Sequence, residues 1–259
     1  MKKSLLLALL VVAPTFGAVQ LPRVLEGIGI DQRLNSPLPL DAPFRDETGA
    51  TVPLGKYFGR RPVLLAPVYY RCPMLCSQIL SGVVAGLRPL SLRPGKDFEI
   101  VVFSIDPSEG AEDAAAKREF YSRSYSRTAG TAGWHFLTGT QSSIDRLTNA
   151  IGFHYRRDPK SGMFIHASGV MAVTPEGRLA RYLYGVEYQP KDLKLGLIEA
   201  SHNRIGSRVD QVLLFCYHYD PSTGKYSLLV LNLLKGVASV TVVGGFLVLA
   251  FLWRRDLKA

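Results

Sequence analysis

Cysteine is scarce in this chain: Cys72, Cys76 and Cys216 are the only three in 259 residues. That is too few for a disulfide scaffold, and an odd count leaves at least one thiol over. A dense basic stripe is also missing, although the formal net charge is +10. Lys2, Lys3, Arg254, Arg255 and Lys258 sit at the two ends with Asp256. Without them, 26 basic and 20 acidic residues remain, a scattered balance of about +6. Such a surface gives no reason to expect nucleic acid as a partner. No internal repeat and no low-complexity tract is found, which excludes solenoid and linker-type architectures.

Long apolar runs, by contrast, stand at both ends. Lys2 and Lys3 precede an apolar run from Leu5 to Ala13, then Pro14 and the small residues Gly17 and Ala18. Residues 1–18 therefore read as a signal peptide, with an uncleaved anchor as the alternative. Residues 228–253 are nearly all apolar. Lys235 and Trp253 lie 18 residues apart, which as helix spans roughly 27 Å, close to a hydrocarbon core. Arg254, Arg255 and Lys258 would mark the cytoplasmic side. The expectation is a single-pass cell-membrane protein with a C-terminal transmembrane helix. Its body faces the periplasmic or extracytoplasmic side, and residues 254–259 form a cytoplasmic tail.

Between these ends, residues 19–40 read as an extended linker containing Pro22, Pro37 and Pro39, and residues 41–226 as one domain. The apolar run 63–70 predicts a buried strand and 98–105 a second. Helices are predicted over 74–87, over 112–125 with acid early and base late, over 142–151, and from Pro190 to 204. Further strands are predicted at 134–137, 163–173, 178–184 and 212–219. The 163–173 and 178–184 strands are joined by a turn at Thr174-Pro175-Glu176-Gly177. Alternating strands and helices with a closing hairpin predict an α/β fold with a mixed sheet and flanking helices. Functional groups in such sheets gather at the carboxyl ends of strands.

The segment Cys72-Pro73-Met74-Leu75-Cys76 lies at one such end. Pro73 suits the first helical position, which makes Cys72 the cap and puts Cys76 one turn further in. A helix N-terminus favours a thiolate at Cys72. A four-residue separation keeps both sulfurs on one face. Two thiolates joined by an imidazole select soft or borderline metals, three such ligands suiting trigonal Cu(I), and the thiol pair also allows a disulfide. The five histidines, His135, His154, His166, His202 and His218, cannot be ranked by spacing alone. Cys216 reads as a small buried strand residue, with a regulatory thiol as the alternative.

Several segments together resemble the Sco/SenC family of membrane-anchored copper proteins. They are Pro67-Val68-Tyr69-Tyr70-Arg71 leading into the cysteine motif, Val102-Phe103-Ser104-Ile105-Asp106-Pro107, Phe136-Leu137-Thr138-Gly139, and His166 followed by Val173-Thr174-Pro175-Glu176-Gly177. The resemblance covers roughly residues 40–205 and implies a thioredoxin-like fold. It implies Cys72, Cys76 and His166 as ligands of copper, held as Cu(I) and in some states Cu(II). It also implies a partner, the copper-bearing subunit of cytochrome c oxidase, whose dinuclear copper centre is supplied or reduced during assembly. Three features depart from the family pattern: Met74 and Ile165 stand where acids are common, and the anchor is C-terminal.

Two functional readings follow. One is a metallochaperone that needs no bond-making catalysis. The other is a thiol–disulfide oxidoreductase, with Cys72 attacking and Cys76 resolving through a redox-active disulfide. An inert structural disulfide would gain little from so short a loop, and no Thr-x-x-Cys arrangement suggests a peroxidase.

Overall fold

The computed structural model describes the backbone of residues 27–72, 75–125, 131–205, 219–220, 225–226 and 228–256. Side chains are described for 27–72, 77–125, 132–205, 235–246, 250 and 253–254. The expected signal peptide, the Pro73-Met74 pair and Cys216 lie outside the described residues. So does most of the strand expected over 212–219, and the side chain of Cys76 is not described either.

Three short strands come first: β1 (Gly29–Ile30), β2 (Pro43–Arg45) and β3 (Thr51–Pro53). β2 and β3 form a hairpin. Asp46 closes it by accepting from Thr48 N at 3.0 Å and Ala50 N at 3.1 Å, an Asx-type turn. Strand β4 (Val63–Val68) is buried at every position, as an unbroken apolar run must be when a sheet is covered on both faces. It leads to helix α1 (Leu75–Leu87), strand β5 (Glu99–Ser104), helix α2 (Ala111–Tyr125) and strand β6 (Trp134–Leu137). β4, β5 and β6 are parallel neighbours, as helical crossovers require.

Helix α3 (Gln141–Ala150) opens on Thr140, whose hydroxyl accepts from Ser143 N. Strands β7 (Phe153–Arg157), β8 (Phe164–His166), β9 (Gly169–Val173) and β10 (Leu179–Tyr184) follow, then helix α4 (Pro190–Ser201). Strands β11 (Tyr219–Asp220) and β12 (Lys225–Tyr226) pair ahead of helix α5 (Leu228–Asp256). The central sheet has the order β10-β9-β4-β5-β6, and a smaller sheet has the order β1-β7-β8. The expected mixed α/β fold with flanking helices is therefore observed.

Two differences from the expected elements bear on the site. The strand expected over 163–173 is divided at Ala167-Ser168. Its first part, β8, pairs with β7, and its second part, β9, pairs with β4 and β10. β7 itself was not expected. The extended segment read over 19–40 is, from Gly29 on, attached to the domain: β1 pairs with β7, and Leu38 is buried.

Helix α1 comes close to the segment after β10 because Gly82 and Gly86 face it. A Cβ on Gly82 would stand 1.8 Å from the Val186 carbonyl oxygen. On the other flank, Trp134 and Phe136 of β6 stack at 6.3 Å and Tyr121 of α2 covers Phe136 at 6.4 Å. At the C-terminus, no helix is long and apolar enough to cross a membrane among the described residues. α5 is continuous over Leu228–Asp256, but the side chains of 228–234, 247–249, 251–252 and 255–256 are not described.

Candidate metal centre

The carboxyl ends of β4 and β5 build a rigid platform for the cysteine motif. Ile105 N donates to Val68 O at 2.8 Å, carrying the pairing one step past the strands. Tyr69 and Tyr70 are buried beyond β4. The Tyr70 hydroxyl donates to Leu137 O at 2.7 Å. Burial pushes that phenol well above its usual pKa, so it stays protonated and stays a donor. The chain then turns, Cys72 N donating to Tyr69 O at 3.4 Å. Cys72 is half-buried against the hydrophobic core, and Cys76 lies in the first turn of α1.

Two carboxylates that sequence reasoning did not single out hold this turn. Glu109, 5 % exposed, accepts from Tyr70 N at 2.7 Å, Arg71 N at 2.6 Å and the Ser104 hydroxyl at 2.5 Å. Burial raises its pKa against the pull of those three donors. Asp113, in the first turn of α2, takes the Arg71 guanidinium at 3.1 Å (Nε) and 2.8 Å (Nη2). That charge-assisted pair lowers the Asp113 pKa. The available signal was the acid-rich stretch after β5, Asp106 to Asp113, directly across from the Cys72 turn.

His166 ends β8, opposite Tyr155 of β7. It is 8 % exposed, and burial lowers its pKa, favouring the neutral ring. Nδ1 lies 2.8 Å from Ala167 O, an atom that can only accept. Nδ1 therefore carries the proton and the lone pair is on Nε2, the tautomer of a histidine prepared as a metal ligand. The ring packs edge-on against Tyr69, with centroids 5.9 Å apart, and against Phe153, also at 5.9 Å. Tyr69 is thus a common neighbour: its carbonyl holds the Cys72 amide and its ring meets the His166 imidazole. The two groups stand at the same end of the molecule.

The described histidines other than His166 are occupied elsewhere. His135 sits 3.1 Å from Glu99 and packs, tilted, against Tyr57 with centroids 4.4 Å apart, at the opposite end of the parallel strands. His154 pairs with Asp31 at 2.9 Å, and His202 caps α4. His218 is outside the described residues. Among the described residues no group of three His, Cys, Asp or Glu is gathered as a metal site. With the Cys76 side chain undescribed, Cys72 and His166 are the two members of the expected ligand set whose side chains the structure describes.

The SCO1/SenC family model matches residues 36–197. This chain belongs to the SCO1/SenC family. No curated protein matches it. Among solved structures, it is similar to a putative electron transfer protein of Aquifex aeolicus VF5. The identity is 27 %, covering 65 % of this chain and 95 % of that one, with a TM-score of 0.58. A putative electron transport protein from the same organism gives 27 % identity over 65 % and 99 % of the two chains, with a TM-score of 0.54. Copper-bound ScoI of Arabidopsis thaliana shares the fold at 16 % identity over 66 % and 99 % of the chains, with a TM-score of 0.51. The match spans β2 through most of α4, and so takes in the cysteine turn, the carboxylates that hold it and His166.

Proposed function

We propose that this SCO1/SenC protein binds one copper ion on Cys72, Cys76 and His166 and passes it to the copper-bearing subunit of cytochrome c oxidase during assembly. The observation that carries the reading is His166: a buried, neutral imidazole with its proton fixed on Nδ1, sharing Tyr69 with the Cys72 turn. Two soft sulfurs and one borderline nitrogen suit trigonal Cu(I), and a weak fourth donor or water would complete a Cu(II) site. Copper here is cargo, so the chain needs donors that can be exchanged one at a time rather than a closed structural site. The membership of the family and the copper-bound relative support the choice of metal.

The same reading places the domain outside the cytoplasm on a C-terminal anchor. What supports the anchor is the apolar sequence of α5, its 29 residues, and the exposure of Val237, Val240, Val242, Val243, Phe246 and Trp253. A helix whose described apolar side chains are exposed is suited to lipid.

A second reading, thiol–disulfide exchange, is favoured by Cys76 in the first turn of α1, the end of a helix at which a thiolate is stabilised, with Cys72 four residues earlier in the chain. Copper stoichiometry and X-ray absorption on the full chain separate the two. Wild type is expected to hold one copper with sulfur and nitrogen donors. The Cys72→Ala chain is expected to lose it, and His166→Ala to lose the nitrogen donor while keeping disulfide exchange. Stoichiometric Cu(I) on Cys72→Ala would remove that ligand from the proposal.

A further inference from the structure

Among the described residues, Glu109 is the one acid buried directly against the backbone of the cysteine turn. A carboxylate taken out of water is costly unless its oxygens are fully engaged. Those of Glu109 are engaged by neutral donors. One oxygen accepts from Arg71 N at 2.6 Å, and the other from Tyr70 N at 2.7 Å and the Ser104 hydroxyl at 2.5 Å. Arg71, the nearest cation in sequence, turns its guanidinium to Asp113 instead. The geometry asks for a carboxylate: two consecutive amides pointing one way need two acceptor oxygens on one group. An amide side chain would present one acceptor and one clashing donor. The Ser104 hydroxyl in turn accepts from Asp106 N at 3.0 Å, so the clamp is tied to the end of β5.

Both clamped amides lie just before Cys72, and the turn they belong to closes on the Cys72 amide itself. We infer that Glu109 is a positioning residue of the thiol site, its carboxylate holding the backbone that aims Cys72. It acts on the direction in which β4 hands over to the cysteine turn. This inference rests on the reading of Cys72 as the site thiol. It holds whether the site carries copper or exchanges disulfides.

Glu109→Gln tests it in the full chain, with Leu197→Ala in the core of α4 as a control that weakens the fold away from the site. In the metal-free protein, equilibration with glutathione is expected to show about a tenfold change in the dithiol–disulfide constant. That corresponds to ~30 mV for a two-electron couple. In the copper-loaded protein, Glu109→Gln is expected to shift the Cu(II)–thiolate absorption band and weaken copper retention roughly tenfold, the scale of outer-sphere effects at metal sites. Leu197→Ala is expected to lower the melting temperature and leave both readouts at wild-type values. Wild-type values in Glu109→Gln, or equal changes in Leu197→Ala, would overturn the inference. If Glu109→Gln does not fold, hydrogen exchange in wild type decides: the Tyr70 and Arg71 amides should exchange at least ~100-fold slower than exposed turn amides, and free exchange would overturn it. A wild-type chain that takes up no copper removes the copper reading alone, because the glutathione experiment still tests Glu109.

Discussion

Gly82 sits in the middle of α1, where helix propensity alone favours alanine by about 1 kcal/mol. The packing says the opposite. An added Cβ would lie 1.8 Å from the Val186 carbonyl oxygen and 2.9 Å from its carbon, where contacts under 3.0 Å are essentially never seen. The obstacle is backbone, so no side-chain rotation relieves it, and the two segments must part by about 1.2 Å. Overpacking of this kind costs roughly 1–3 kcal/mol, and a backbone obstacle belongs at the upper end. Net of the propensity gain, Gly82→Ala should lose about 2 kcal/mol. For a chain of this size that lowers the melting temperature by roughly 4–8 °C. Thermal unfolding followed by circular dichroism measures it, with Gly29→Ala as the control, since nothing lies within 4 Å of a Cβ there. The displaced helix carries Cys76 in its first turn, so copper retention should fall as well. A Gly82→Ala protein that melts at or above wild type would refute the reasoning, because propensity would then outweigh the contact.

Two further outcomes follow from the same geometry. Burial lowers the His166 pKa below the ordinary 6.5, so the folded chain binds fewer protons than the unfolded one in the window beneath that value. The stability His166 contributes is therefore complete above about pH 6.5 and declines as the pH falls through that value toward the folded pKa; urea unfolding of metal-free protein from pH 7.5 to 5 should show a shallower slope for His166→Gln, and an unchanged slope refutes the assignment. A chain ended at residue 227 should partition into the soluble fraction and still bind copper, and its persistence in carbonate-washed membranes would place the anchor elsewhere.

Much of the fold could be read because local and global preferences agree in it. The run 63–68 is apolar at consecutive positions, and a strand covered on both faces buries every one of them. Trp134–Leu137 and the turn ending in Gly177, with φ at +77°, appear where composition placed them. What escaped was β7, whose Phe153–Arg157 sequence mixes aromatics with charges because burial fades along it, from buried Phe153 to exposed Arg156 and Arg157, while β1 and β8 pair its two edges. The division of 163–173 escaped for a related reason. Each half is apolar enough to extend the other, and only the tertiary pairing, with β8 folding back on β7 while β9 joins the distant β4, divides them.

That division is also why the site was only half legible. The thiols announce themselves by spacing and by the strand before them. The imidazole does not, because its qualification is tertiary. A continuous strand would carry His166 along the β4–β9 ladder as one more sheet residue. The break at Ala167-Ser168 lets the Ala167 carbonyl lie 2.8 Å from Nδ1, and it lets the β7–β8 pair bring the ring against Tyr69. The Nδ1-protonated tautomer and the approach to the Cys72 turn thus come from one chain break. Glu109 follows the same logic from the other side: it is an acid after a strand in the sequence, and a clamp only once β4 and β5 run parallel and end together. A variant that restored a continuous strand through 167–168 should therefore lose the nitrogen donor while keeping both thiols. This is the pattern expected of His166→Ala, reached without touching the histidine. X-ray absorption showing the nitrogen retained in such a variant would mean that His166 owes its place to something other than the break.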